Sequence, residues 1–228
     1  RDFCLSRGLG DVYKRQGLSK YNGGSIDNQG IDFNVLYNKQ YKNGGFFVGG
    51  NMLWAKNKII DLKEIAYKYA HQYRKGHSIG TRFGFETNGL YTHPDQLVNA
   101  PTGSFGSPVL GDIVYKNQNP EDDNVIDESD MVALGNSLPE IIFGATLGGN
   151  YKGFDIQCNL EGSSLFSTHY IPNKFTPYAY ENRWNPNDPA VQTAYPGLSI
   201  SREYNTQTSD FWQKKTSLLR ISSAEVGY

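Results

Sequence analysis

Residues 138–165, LPEIIFGATLGGNYKGFDIQCNLEGSSL, decide how the chain is read. Ile141, Phe143, Ala145, Leu147 and Tyr151 share one parity, and Phe154, Ile156, Cys158 and Leu160 alternate with Asp155, Gln157, Asn159 and Glu161. Successive strand side chains point to opposite faces, so this period of two makes one apolar and one polar face. The link Asn150-Tyr151-Lys152-Gly153 is short and suits turn backbone angles, which predicts an antiparallel hairpin. A second hairpin lies upstream. There Ile31, Phe33, Val35 and Tyr37 alternate with Asp32, Asn34 and Asn38, the turn is Lys42-Asn43-Gly44-Gly45, and the return strand runs from Phe46 to Ala55.

Composition narrows the class. Apolar residues make up 38% of the 228, below the usual range for a compact domain, while aromatics reach 14%. A formal net charge of -1 gives no basic footprint for nucleic acid. No run approaches the roughly 20 apolar residues of a membrane helix, although barrel strands alternate and leave only a weak hydropathy signal. Cys4 and Cys158 are too few for a disulfide framework or a zinc site.

Arg1 to Gln16 (RDFCLSRGLGDVYKRQ) has no periodicity and resembles translated adapter read-through, so residues 1–16 are set apart from a unit spanning residues 17–228. Within that unit Leu62, Ile65, Ala66 and Tyr69 stand at helical spacing and predict a short helix, and Ile79 to Tyr91 reads as extended. Phe166 to Phe211 carries five prolines, which predicts an ordered aromatic loop, and Ser217 to Tyr228 reads as a further strand.

Short turns therefore alternate with connections of roughly 80 and 45 residues, the layout of an outer-membrane barrel with tight periplasmic turns and long extracellular loops. The expected fold is all-β, an antiparallel transmembrane β-barrel segment, with Tyr37, Trp54, Tyr151 and Phe154 as girdle aromatics. The alternative is a soluble β-sandwich module that binds carbohydrate and carries an acidic calcium-type loop.

Several motifs then carry a resemblance. Gly111-Asp112-Ile113-Val114-Tyr115-Lys116, an Asn/Asp-rich loop ending in Val125-Ile126-Asp127, Asp130, and Leu134-Gly135-Asn136 follow one another in order. So do Tyr151-Lys152-Gly153-Phe154-Asp155, Arg183-Trp184-Asn185-Pro186, Tyr195-Pro196, Ser209-Asp210-Phe211-Trp212 and Leu218-Leu219-Arg220-Ile221. Together they resemble the SusC/RagA type of TonB-linked outer-membrane receptor, over nearly all of Asp27 to Tyr228. The resemblance implies a stretch from the C-terminal third of a large barrel that closes around an N-terminal plug. It implies import of oligosaccharides or peptides across the outer membrane, driven by the TonB complex acting on an N-terminal region, with a SusD-like surface lipoprotein as partner. No pair of carboxylates can be placed as a hydrolytic site, so no enzymatic activity is expected, and no cofactor beyond calcium in the acidic loop.

Two groups of candidate residues remain. Asn117, Asn119, Asp123, Asp127 and Asp130 have the alternating oxygens of a calcium loop, but Pro120, an insertion and Asn124 in the glycine position favour a solvated acidic loop. Tyr170, Tyr178, Tyr180, Trp184 and Tyr195 offer rings that would stack on sugars or pack against a lipoprotein partner. His71, His77, His93 and His169 lack the spacing of a metal or catalytic site.

Overall fold

The computed structural model describes residues 23–119, 124–170, 175–187, 193–198 and 203–228. The reading of residues 1–16 as a foreign tail lies outside them. Five long strands form one antiparallel sheet, in the order β1 (Gly24–Tyr41), β2 (Gly44–Leu62), β9 (Ile141–Tyr151), β10 (Phe154–His169) and β11 (Gln213–Gly227). β1 and β11 are its edges, so the sheet is not closed. Short strands fill the first long connection: β3 (Thr81–Gly84), β4 (Thr87–Leu90), β5 (Thr102–Gly103), β6 (Ile113–Tyr115), β7 (Val125–Ile126) and β8 (Val132–Asn136).

Both turns are two residues long, tighter than the four-residue links read from sequence. Lys42–Asn43 joins β1 to β2, and Lys152–Gly153 joins β9 to β10. Lys152 (φ 50°) and Gly153 (φ 92°) are both left-handed, the backbone whose twist matches that of the flanking strands.

Register aligns the apolar parities of neighbouring strands. Phe33 faces Met52, Met52 faces Phe143, Val48 faces Leu147, Leu147 faces Cys158 and Cys158 faces Ala224. Phe154, Ile156, Cys158 and Leu160 thus belong to one apolar face across all five strands. On it Ile31 is 62% exposed and Ile156 60%. Among the described residues no second sheet covers this face, which removes the packed layer that a sandwich requires.

The apolar face has a definite height. On β9 it runs the full 11 residues from Ile141 to Tyr151, the length of a tilted membrane strand. Aligned with it are Gly44 to Trp54 of β2 and Ile31 to Tyr41 of β1. Beyond Trp54 the same parity continues as Lys56 and Lys58, which suit water. The first hairpin's legs, read from sequence as about ten residues, are 18 and 19 residues long because they continue past this band. Among the described residues no helix is long and apolar enough to cross a membrane.

The short helix expected within Leu62 to Tyr73 does not form. Glu64 accepts from the amides of Arg74 (2.9 Å) and Lys75 (3.2 Å), and the Tyr73 hydroxyl bonds the backbone of Tyr67. These side-chain bonds hold an open loop in place of a helical ladder, and only Ala70–Gln72 makes a 3-10 turn. In the second excursion a five-residue helix, α1 (Pro177–Glu181), begins where Thr176 Oγ1 accepts from the Ala179 amide and Pro177 takes the first helical position.

Candidate functional site

The two long excursions fold together into one body with a single aromatic core. Phe85, Ile113, Tyr115 and Ile126 from the first pack with Ala179, Tyr195, Tyr204 and Trp212 from the second. Backbone bonds stitch them: the Phe85 amide donates to Thr208 O at 2.8 Å, and the Asp210 amide to Phe85 O at 3.1 Å.

The Gly111–Tyr115 motif is the keystone of this body. Gly111 has φ +86°, and a Cβ there would lie 2.4 Å from the Trp184 ring. Glycine alone provides both the left-handed backbone and the space. Asp112, buried, accepts from the Val109 amide (2.9 Å) and from Asn205 Nδ2 (2.9 Å), while Asn205 Oδ1 accepts from the Ile113 amide (2.9 Å). Ile113 is fully buried, and the Tyr115 hydroxyl donates to Tyr204 O at 2.8 Å. Burial above all, with Tyr204 and Asp112 beside it, pushes the Tyr115 phenol far above its ordinary value. The partners Tyr204 and Asn205 lie about 90 residues downstream of the motif.

The acidic loop turns its oxygens onto its own backbone. Asp130 is buried and accepts from the amides of Gln118 (2.7 Å) and Asp127 (3.0 Å). Asp127 caps the turn through the Ser129 amide (2.7 Å), and Asn117 Oδ1 accepts from the Asn119 amide (2.7 Å). Among the described residues no three His, Cys, Asp or Glu side chains are placed to hold a metal ion, and Asp123 lies outside those residues. Nearby, Glu86 accepts from Gln118 (3.0 Å) and Lys116 (3.1 Å), and these bonds hold its carboxyl below the ordinary value.

The five candidate aromatics divide between core and surface. Trp184 and Tyr195 are buried, Trp184 on Gly111 and Tyr195 against Trp212. Tyr170, Tyr178 and Tyr180 are exposed, the last two on α1. The Arg183 guanidinium stacks on the Tyr180 ring, 3.7 Å from its centroid.

Between the two tight turns and the body, the polar face of the sheet forms an open trough of about 940 Å³. One row across it is Asn34, Asn51, Gly144, Glu161 and Arg220. Arg220 donates to Glu161 through Nη2 (2.8 Å) and Nε (3.2 Å), and Ser222 Oγ donates to the other Glu161 oxygen at 2.8 Å. The ion pair is half-exposed, so water screens it. One row nearer the turns, Asn159 donates to Ser223 at 2.8 Å. Parity alone puts Glu161 here; Arg220 lies in the strand read over Ser217 to Tyr228, and its pairing with Glu161 follows from a register between β10 and β11 that the sequence does not reveal.

Comparisons with known proteins bear on the fold. No family model matches the chain. A TonB-dependent receptor of Formosa agariphila is 25% identical across 91% of this chain. The chain spans 22% of that receptor's length. In structure the chain is similar to a RagAB peptide transporter, with a TM-score of 0.61 and 16% identity over 89% of this chain and 22% of that one. It is also similar to the RagAB peptide importer in its 'open-open' state, with a TM-score of 0.59 and 16% identity over 89% of this chain and 22% of that one. The fold is thus that of a segment of an outer-membrane β-barrel. In sequence the chain is similar to a TonB-dependent receptor, and in fold to the barrel of a RagAB transporter.

Proposed function

We propose that this chain serves in TonB-dependent import of oligosaccharides or peptides across the bacterial outer membrane, in a complex with a SusD-like surface lipoprotein. The polar trough carries the reading. Amides, hydroxyls and one ion pair share its lining with Leu36, Ile142 and Leu218, on the face opposite the apolar band, a mixed surface that suits a polar solute with apolar parts during passage. The body of the two excursions stands at its rim, and Tyr170, Tyr178 and Tyr180 give it exposed rings for a polymer or a lipoprotein. The RagAB structures, described as peptide transporters, support peptides as one substrate class. TonB would act through the N-terminal region that the resemblance implies. The relatives are named as a receptor and transporters, and the chain is assigned no catalytic role. Calcium is no part of the reading.

Uptake by intact cells tests it. Deleting the gene should stop entry of either labelled oligosaccharides or labelled peptides, and collapsing the proton-motive force should stop the same uptake. A tagged receptor should bring down a surface lipoprotein. Uptake that survives both treatments would sink the proposal.

A further inference from the structure

The outward side chains nearest the tight turns form a row: Tyr41, Gly44, Tyr151 and Phe154, one from each of β1, β2, β9 and β10. Gly44 interrupts it. A Cβ there would lie 2.2 Å from the carbonyl oxygen of Asn150, so no side chain fits and the row has a notch, a missing side chain, between the two tyrosines. The notch is held in shape, because the Lys152 amide donates to Asn43 O at 3.1 Å and ties the turns together. Lys39 Nζ stands 5.6 Å from the centroid of the Tyr41 ring, Lys152 Nζ 5.3 Å from that of Tyr151, and Lys42 belongs to the first turn. Phe46, stacked 6.3 Å from Tyr41, closes the notch on the apolar side. Asp155 has the opposite parity and belongs to the polar face. Among the described residues none of the three lysines has a carboxylate partner.

We propose that this notch binds the phosphate of an anionic phospholipid, whose acyl chains then lie along the apolar band. Three ammonium groups, two on the hydrogen-bonded turns and Lys39 at the adjoining end of β1, supply charge at the membrane surface. The tyrosine rings, apolar at the base and polar at the tip, line the headgroup layer on both sides of the glycine. A lysine that only snorkels to water needs no partner, whereas here Lys39 and Lys152 lie over the two tyrosines that flank Gly44. The proposal rests on the membrane-spanning fold and is independent of what is imported.

Native mass spectrometry of the intact receptor in mild detergent tests it, with equal amounts of phosphatidylglycerol, phosphatidylethanolamine and lipopolysaccharide, and separately with inorganic phosphate. Phosphatidylglycerol should be retained in preference to the others. Lys39→Gln, Lys42→Gln and Lys152→Gln should each lower that retention about fivefold, and Lys56→Gln, at the far side of the band, should leave it unchanged. Each variant keeps the side chain's length, and an unaltered strand signal in circular dichroism certifies its fold. Equal retention of phosphatidylglycerol and phosphatidylethanolamine would overturn the site. So would a triple variant that retains as much lipid as the parent, a preference for lipopolysaccharide, or inorganic phosphate displacing the lipid.

Discussion

Leu147 sits at mid-height in the apolar band, level with Val48 and Cys158, whereas Ile156 is one outward position from Phe154 at its rim. In the intact receptor Leu147→Arg should therefore cost about 2–4 kcal/mol of folding stability, Ile156→Arg distinctly less, and Gln157→Arg on the polar face almost nothing. Urea unfolding in vesicles would measure the series. Equal costs at all three positions would contradict the assignment of faces. Tyr115 offers a second test, away from the membrane. Tyr115→Phe removes a buried hydroxyl and strands the Tyr204 carbonyl, a loss of about 1–3 kcal/mol read as faster proteolysis of the body. Because folding raises this phenol above its ordinary 10.0, its contribution is whole below that pH and declines as pH rises beyond it. The parent body should open in alkali, and the Phe variant should lose part of that sensitivity.

The two turns and the two excursions differ so much in length that they assign sides of the membrane. With tight turns toward the periplasm, a cysteine at Asn187 should react in whole cells with an impermeant thiol reagent, and one at Asn43 should not. Labelling only at Asn43 would reverse the orientation. In the acidic loop, Asp127 and Asp130 already accept from backbone amides. Removing calcium with a chelator should thus leave protease protection across residues 112–136 unchanged, and a loosened segment would make the loop an ion site. The hairpins were legible because a period of two is local, as Ile156 and Gln157 show. The loop over residues 63–73 was not, since a helical spacing lost to the bonds of Glu64 and Tyr73, which depend on where the chain returns.

At the scale of the molecule, sequence gave two separate excursions where the structure has one body. Nothing near Asp112 announces Asn205, and nothing near Phe85 announces Thr208, because such pairs are set by the path of the hairpin between them. The same distance explains why Trp184 reads as a binding ring in isolation and is found beneath Gly111. The interleaving also bears on inheritance. The halves of the aromatic core are encoded on either side of β9 and β10, so a genetic crossover falling inside that hairpin would join a Gly111–Tyr115 segment from one parent to a Tyr204–Trp212 segment from another. Such chimaeras would misfit at the Asp112–Asn205 contact, and the smallest exchangeable cassette contains both excursions together with the hairpin between them.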